Sequence, residues 1–191
     1  VAVLSSDTQF DYLKALNDSE DKTEILNELM TAYGKDVWNY AYSMTRKWEV
    51  ADDITQEVFI KVFKNLFTFR SEASIKTWLL TITRNTVLDY KRSAYFRRIT
   101  LVDYFASDSK TGLSAEQEAL QTEATSEMWD MVLQLPPKNR EAMILYAHNQ
   151  LSLKEIAEVL QVSEGTVKSR LHHARTKLSQ IKERHHHASE R

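Results

Sequence analysis

Apolar residues recur at helical spacing over most of the first ninety positions. In TEILNELMTAYGKDVWNYAYSMTRK they fall at Ile25, Leu29, Val37, Tyr40, Ala41 and Met44, which places them on one face of a helix. VADDITQEVFIKVFKNLFTF follows, where Ile54, Val58, Phe59, Val62, Phe63 and Leu66 form a broad stripe that should pack inward. SIKTWLLTITRNTVLDYKRS predicts a third helix, with Trp78, Leu79 and Ile82 on one side. From about Ser93 the pattern decays. DYFASDSKTGLSAEQEALQTEA is acidic, polar and weakly periodic, as a linker would be. Helical patterning resumes at about Thr125, and Pro136 and Pro137 stand at a helix start, where proline costs least.

The stretch LSLKEIAEVLQVSEGTVKSRLHHARTKL carries the sharpest local signals. Ser152 and Glu155 have the spacing of a capping box, so a helix begins there. Ile156, Ala157 and Leu160 form its inner face, and the break falls at Gln161-Val162. Ser163 caps a second helix that buries Val167, Leu171, Ala174 and Leu178. Gly165, Ser169, His172 and Thr176 then face the other way, with Thr166 and His173 beside them and Lys168 and Arg170 on the flanks. This is a helix-turn-helix arrangement whose second helix offers short donors and cations to a major groove. A plain helical hairpin with a solvated basic face is the bland alternative. Gln161 sits where many such turns place glycine, so mild backbone strain is expected.

Composition narrows the fold. The 191 residues include only 3 glycines and 2 prolines, too few for a sheet protein with many tight turns. The expectation is an all-α chain: two small helical domains joined by a flexible linker, the C-terminal one a helix-turn-helix. The divisions fall at 1–19 (extension), 20–93, 94–124 (acidic linker), 125–184 and 185–191 (tail). Cysteine is absent, which excludes disulfides and thiolate metal sites. The opening VAVLSSDTQF is too short and uncharged for a secretory signal, no apolar run is long enough to span a bilayer, and the cytoplasm is the default compartment.

The net charge of −2 conceals segregation. Residues 84–98 carry five cations and one acid, and residues 163–184 carry six and two. Residues 103–130 carry one cation and seven acids. Two basic patches on either side of an acidic stretch suit a protein that meets a polyanion in two places.

Two further features bear on chemistry. On the second helix, Asp53, Gln56, Glu57 and Lys64 surround Ile60, an isoleucine placed on an acid-and-amide face. That is either one ordinary exposed apolar residue or part of a docking surface. Asp52, Asp53 and Glu57 could also be imagined as metal ligands, yet no histidine or further carboxylate is placed to complete a site. The loop TFRSEAS lies next to Phe67 and Phe69 and ahead of a helix bearing Arg84 and Lys91. Rings and cations in that order can hold unstacked bases, or they can be core and solvated face.

Together, ADDITQEVFIKVFKNL, TFRSEASIKTWLLTITRNTVLDYKR and LPPKNREAMILYAHNQLSLKEIAEVLQVSEGTVKSRLHHARTKL resemble a bacterial extracytoplasmic-function (ECF) sigma factor of the sigma-70 family. The resemblance runs from about residue 25 to 182. It implies a non-enzymatic promoter-specificity subunit with no cofactor or metal. Asp52, Asp53, Gln56, Glu57 and Ile60 would dock on the clamp helices of the large catalytic subunit of RNA polymerase core, with the polymerase flap as a second contact. Phe69, Arg70, Ser71, Ser74, Lys76, Arg84, Asn85, Asp89, Lys91 and Arg92 would meet the −10 element, separate its strands and capture an everted base. Arg140, Gly165, Thr166, Lys168, Ser169, Arg170, His172 and His173 would read the −35 element. His172 and His173 replace the aromatic or basic residues common among relatives, so contacts there are expected to depend on pH. An anti-sigma partner, possibly membrane-anchored, is implied as well. Competing readings are a two-domain regulator with the same C-terminal motif and a metal-dependent nuclease. The first calls for alternating strands and helices, which residues 1–92 do not show.

Overall fold

The computed structural model describes residues 22–66, 69, 73–101 and 127–189, the side chains of 95–101, 127 and 185–189 excepted. Every regular element among these residues is helical. Three long helices come first: α1 (Lys22–Thr45), α2 (Trp48–Asn65) and α3 (Ile75–Leu101). Their facing stripes meet in one core, where Leu29, Val37, Ala41, Ile54, Val58, Val62, Leu79 and Val87 are buried. The helical periodicity of each segment is what brings these positions onto a common side. Two expectations need correction. Phe63 belongs to the predicted inward stripe but is 39% exposed; at the edge of a wide stripe it turns outward beside Ile60. Helix α3 also continues to Leu101, eight residues past the predicted end at 93. The stretch from Ala94 to Leu101 keeps apolar residues at Tyr95, Phe96, Ile99 and Leu101 and adds good helix formers at Ala94, Arg97 and Arg98.

The second unit holds α4 (Glu127–Leu133), α5 (Pro137–Met143), α6 (Leu153–Leu160) and α7 (Glu164–Ser189). Helix α5 runs on into a π-helical turn, Ile144–His148, closed by the Asn149 amide on the Ile144 carbonyl at 3.0 Å. The capping box forms as the sequence requires. The Glu155 amide donates to Ser152 Oγ at 3.3 Å, and the Ser152 amide donates to Glu155 Oε2 at 2.9 Å. Gln161 takes φ 53°, in the left-handed region. Around it the Gln161 amide reaches the Glu158 carbonyl and the Val162 amide reaches the Ala157 carbonyl, a Schellman closure that ends α6 and redirects the chain. Ser163 Oγ then accepts the Thr166 amide at 3.2 Å and starts α7. Val167, Leu171, Ala174 and Ile181 are buried against Ile156, Val159, Leu160 and Leu145; Leu178 is half-buried.

The two units are packed on each other. Tyr40 of α1 and Leu80 of α3 are buried in the C-terminal core, and α3 lies along α6. The acidic segment 102–126 and the extension 1–21 lie outside the described residues.

Candidate functional site

Helix α2 carries the candidate docking residues, most of them on its outer face. Asp53, Gln56 and Glu57 are exposed. Ile60 is 53% exposed, and with Phe63 one turn on it forms an apolar pair on the surface. The structure therefore gives the isolated isoleucine of the sequence a neighbour. Asp52 differs from the rest: it is half-buried and accepts the Trp38 indole N–H at 2.6 Å. Trp38 in turn sits against Trp48 and Tyr42, with ring centroids 4.4 and 5.1 Å away. Glu57 pairs with Lys61 at 2.7 Å. Asp52 and Glu57 thus have protein partners of their own, and among the described residues no cluster of three metal-ligating side chains exists.

The candidate −10 residues divide into two sets around α3. Asn85, Asp89, Lys91 and Arg92 are exposed, with Arg92 near Asp89 at 3.5 Å. Lys91 is held below the ordinary lysine value, by partial burial first and then by Arg140, with Glu141 acting in the opposite direction. Phe69 is half-buried against Trp78, centroids 5.2 Å apart, and Trp78 packs on the N-terminal core. Arg70 and Ser71 lie outside the described residues.

The second set faces the C-terminal unit. Ser74 and Thr77 both donate to Glu155 Oε1, at 3.2 and 3.1 Å. Arg84 Nε donates to Glu141 Oε1 at 2.9 Å, and the Tyr40 hydroxyl donates to the same oxygen at 3.1 Å. Burial, and then the Glu141 charge, push the Tyr40 phenol well above its usual range, so it remains a donor. Lys76 pairs with Asp36 at 2.8 Å. Asp36 also lies 3.5 Å from His148 Nε2, which is 3.1 Å from Asn39 Nδ2. Sequence reasoning missed Asp36, Asn39, Tyr40, Thr77, Glu141, His148 and Glu155 as one set. Of these, the sequence singles out Tyr40 only as a position of an apolar stripe and Glu155 only as a capping residue.

On the C-terminal unit, Gly165, Lys168, Ser169, His172 and His173 are exposed along α7, and Arg170 and Thr166 are half-exposed. The rings of His172 and His173 are 5.9 Å apart. This is the predicted groove-facing surface, presented by the helix that the cap at Ser163 positions. Arg140 stands apart. It is 7% exposed, and its guanidinium donates to the Leu133 carbonyl at 2.8 Å. Burial first, then Arg46, hold it below the ordinary arginine value. Its side chain ties α5 to the end of α4.

Residues 29–97 match Sigma-70 region 2, and residues 125–178 match Sigma-70 region 4. RNA polymerase sigma factor YlaC of Bacillus subtilis is 30% identical over 154 residues, which cover 80% of this chain and 89% of YlaC. The chain belongs to the ECF sigma-70 family. This sigma factor is also 28% identical to ECF RNA polymerase sigma factor SigM of the same organism, over 82% of this chain and 94% of SigM. Its fold is shared with solved structures. RpoE in complex with the anti-sigma factor NepR, from Bartonella quintana, superimposes with a TM-score of 0.62 at 22% identity, over 84% of this chain and 97% of that one. CnrH in complex with the cytosolic domain of CnrY gives 0.63 at 21% identity, over 93% and 96%. No described helix of this sigma factor is long and apolar enough to cross a membrane.

Proposed function

We propose that this ECF sigma factor acts in the cytoplasm, without covalent chemistry of its own, by binding RNA polymerase core and delivering it to promoters. The outer face of α2 is the docking surface for the clamp helices of the large subunit: Ile60 and Phe63 bury their side chains there, ringed by Asp53, Gln56 and Glu57. Asp52 shapes this face through Trp38. The exposed face of α7, from Gly165 to His173, reads the −35 element. Asn85, Asp89, Lys91 and Arg92, together with Phe69, Arg70, Ser71, Ser74, Lys76 and Arg84, hold the −10 element once its strands part. An anti-sigma protein is the natural antagonist, as NepR is for RpoE.

The observation that carries this reading is the exposed Ile60–Phe63 pair inside a charged and polar surround of Asp53, Gln56, Glu57 and Lys64. An apolar pair held outward on a well-packed helix costs solubility and is explained by a partner that covers it. Transcription in vitro with purified core polymerase on a genomic library is the test. Discrete start sites that vanish with Ile60→Asp, while helicity stays intact, are the expected result. Transcripts that persist unchanged with Ile60→Asp would remove the docking role from this face.

A further inference from the structure

We propose that the packed arrangement of the two units is a self-closed, inactive state in which Glu141 and Glu155 stand where promoter phosphates would bind on α3. This rests on the reading of α3 as the −10 helix given above. Thr77 and Arg84 share one face of α3 and Ser74 stands just before its first residue, accepting the Thr77 amide; they present two hydroxyls and a guanidinium, the donor set that grips phosphate oxygens. In the closed chain those same donors are spent on carboxylate oxygens from the other unit, at 2.9–3.2 Å. A carboxylate offers what a phosphate offers: anionic acceptors that take charge-assisted hydrogen bonds. The donors cannot serve both at once, so a DNA strand and the C-terminal unit compete for this face.

The build of the two carboxylates supports an exchangeable mimic. Glu141 is buried, and both of its donors, Tyr40 and Arg84, come from the N-terminal unit. Glu155 divides its oxygens. Oε2 closes the capping box with Ser152, while Oε1 reaches across to Ser74 and Thr77. The helix that sets the −35 reader is therefore pinned directly to the −10 face, and the two units cannot take up independent positions on a promoter until these bonds break. The seam among the described residues is mixed: Tyr40, Leu80 and half-buried Met44 pack on the C-terminal cluster, and the Glu141, Glu155 and Asp36–His148–Asn39 groups add polar links. Ion pairs and hydroxyl bonds of this kind exchange for water or for DNA, so such a seam opens far more readily than an apolar core.

The test uses the full chain, which has no cysteine. Spin labels at Glu24→Cys and Lys177→Cys, one on each unit, report the distance between units by pulsed electron resonance. Anisotropy of a fluorescein-labelled random single-stranded 20-mer reports access to the −10 face. In the Glu141→Gln/Glu155→Gln double variant the distance distribution should lengthen and broaden. The oligonucleotide should bind roughly tenfold tighter, as when an open form held near one part in ten becomes dominant. Glu158→Gln/Glu183→Gln removes the same charge from exposed positions and should leave the distances as they were, with a much smaller gain. Thr77→Val, which removes one donor without changing charge, should shift the distances in the same direction. Unchanged distances in the double variant, or an equal affinity gain in the charge control, would overturn the proposal. Neither result bears on transcription from core polymerase, which tests the underlying reading separately.

Discussion

Arg140 and Arg170 look alike in the sequence, since each is a cation within a helical segment of the DNA-binding half. Their surroundings separate them. Arg140 is buried and donates to the Leu133 carbonyl; Arg170 is half-exposed on α7. Arg140→Ala leaves a buried carbonyl without its donor and opens space between α4 and α5. It should cost about 1–3 kcal/mol of stability, read as a lower urea midpoint, while the folded fraction keeps its −35 preference. Arg170→Ala should do the reverse. The urea midpoint holds, and binding to the −35 element weakens by about 1–3 kcal/mol. Equal losses on a promoter with a scrambled −35 element would reduce Arg170 to general charge. The burial of Arg140 is not legible locally, because its acceptor lies seven residues upstream on another helix.

The elements themselves were largely legible, because each depends on neighbours within a few residues. The Ser152–Glu155 box, the break at Gln161 and the Ser163 cap all follow from short-range hydrogen-bond chemistry, and all three appear in the structure. The strain expected at Gln161 is present as well, in its φ of 53°. Because a side chain at this left-handed position crowds the backbone, Gln161→Gly should raise stability by about 1 kcal/mol, measured by thermal or urea unfolding. A lower midpoint would mean that the glutamine side chain contributes a contact that outweighs the strain. Where an element was misjudged, the missing information was long-range. Phe63 fits the stripe of α2, but whether the edge of a wide stripe meets core or solvent depends on how α1 and α3 cross it. Polar residues among those that follow Ser93 make the pattern look as if it decays, whereas the helix continues for eight more residues.

For the whole molecule, the sequence yields two helical units but gives no sign that they close on each other. The seam is made by pairs such as Tyr40 with Glu141, 101 residues apart, and Ser74 with Glu155, 81 apart, and no member carries a local signal of its partner. Its chemistry predicts a response to acid. His148 is held below the ordinary imidazole value, chiefly by burial, with Lys76 and Lys35 reinforcing the effect and Asp36 opposing it. The closed state therefore keeps this ring neutral, able to accept from Asn39 at Nε2, with Trp129 against its edge. Opening exposes the ring to water and restores the ordinary value near 6.5. The open form then binds the proton first, so closure is fully favoured above that value and weakens as pH falls below it. Glu155 has the same sign at lower pH. Burial raises its carboxyl, but the hydrogen bonds from Ser152, Thr77 and Ser74 outweigh burial and leave it below the ordinary range, so its share of closure fades only under stronger acid. Between pH 7.5 and 5.5 the spin-label distances should shift toward the open form through His148 alone. His148→Gln, which cannot take up the proton, should give a single distribution at both pH values. A pH-dependent shift that survives in that variant would assign the response to another group.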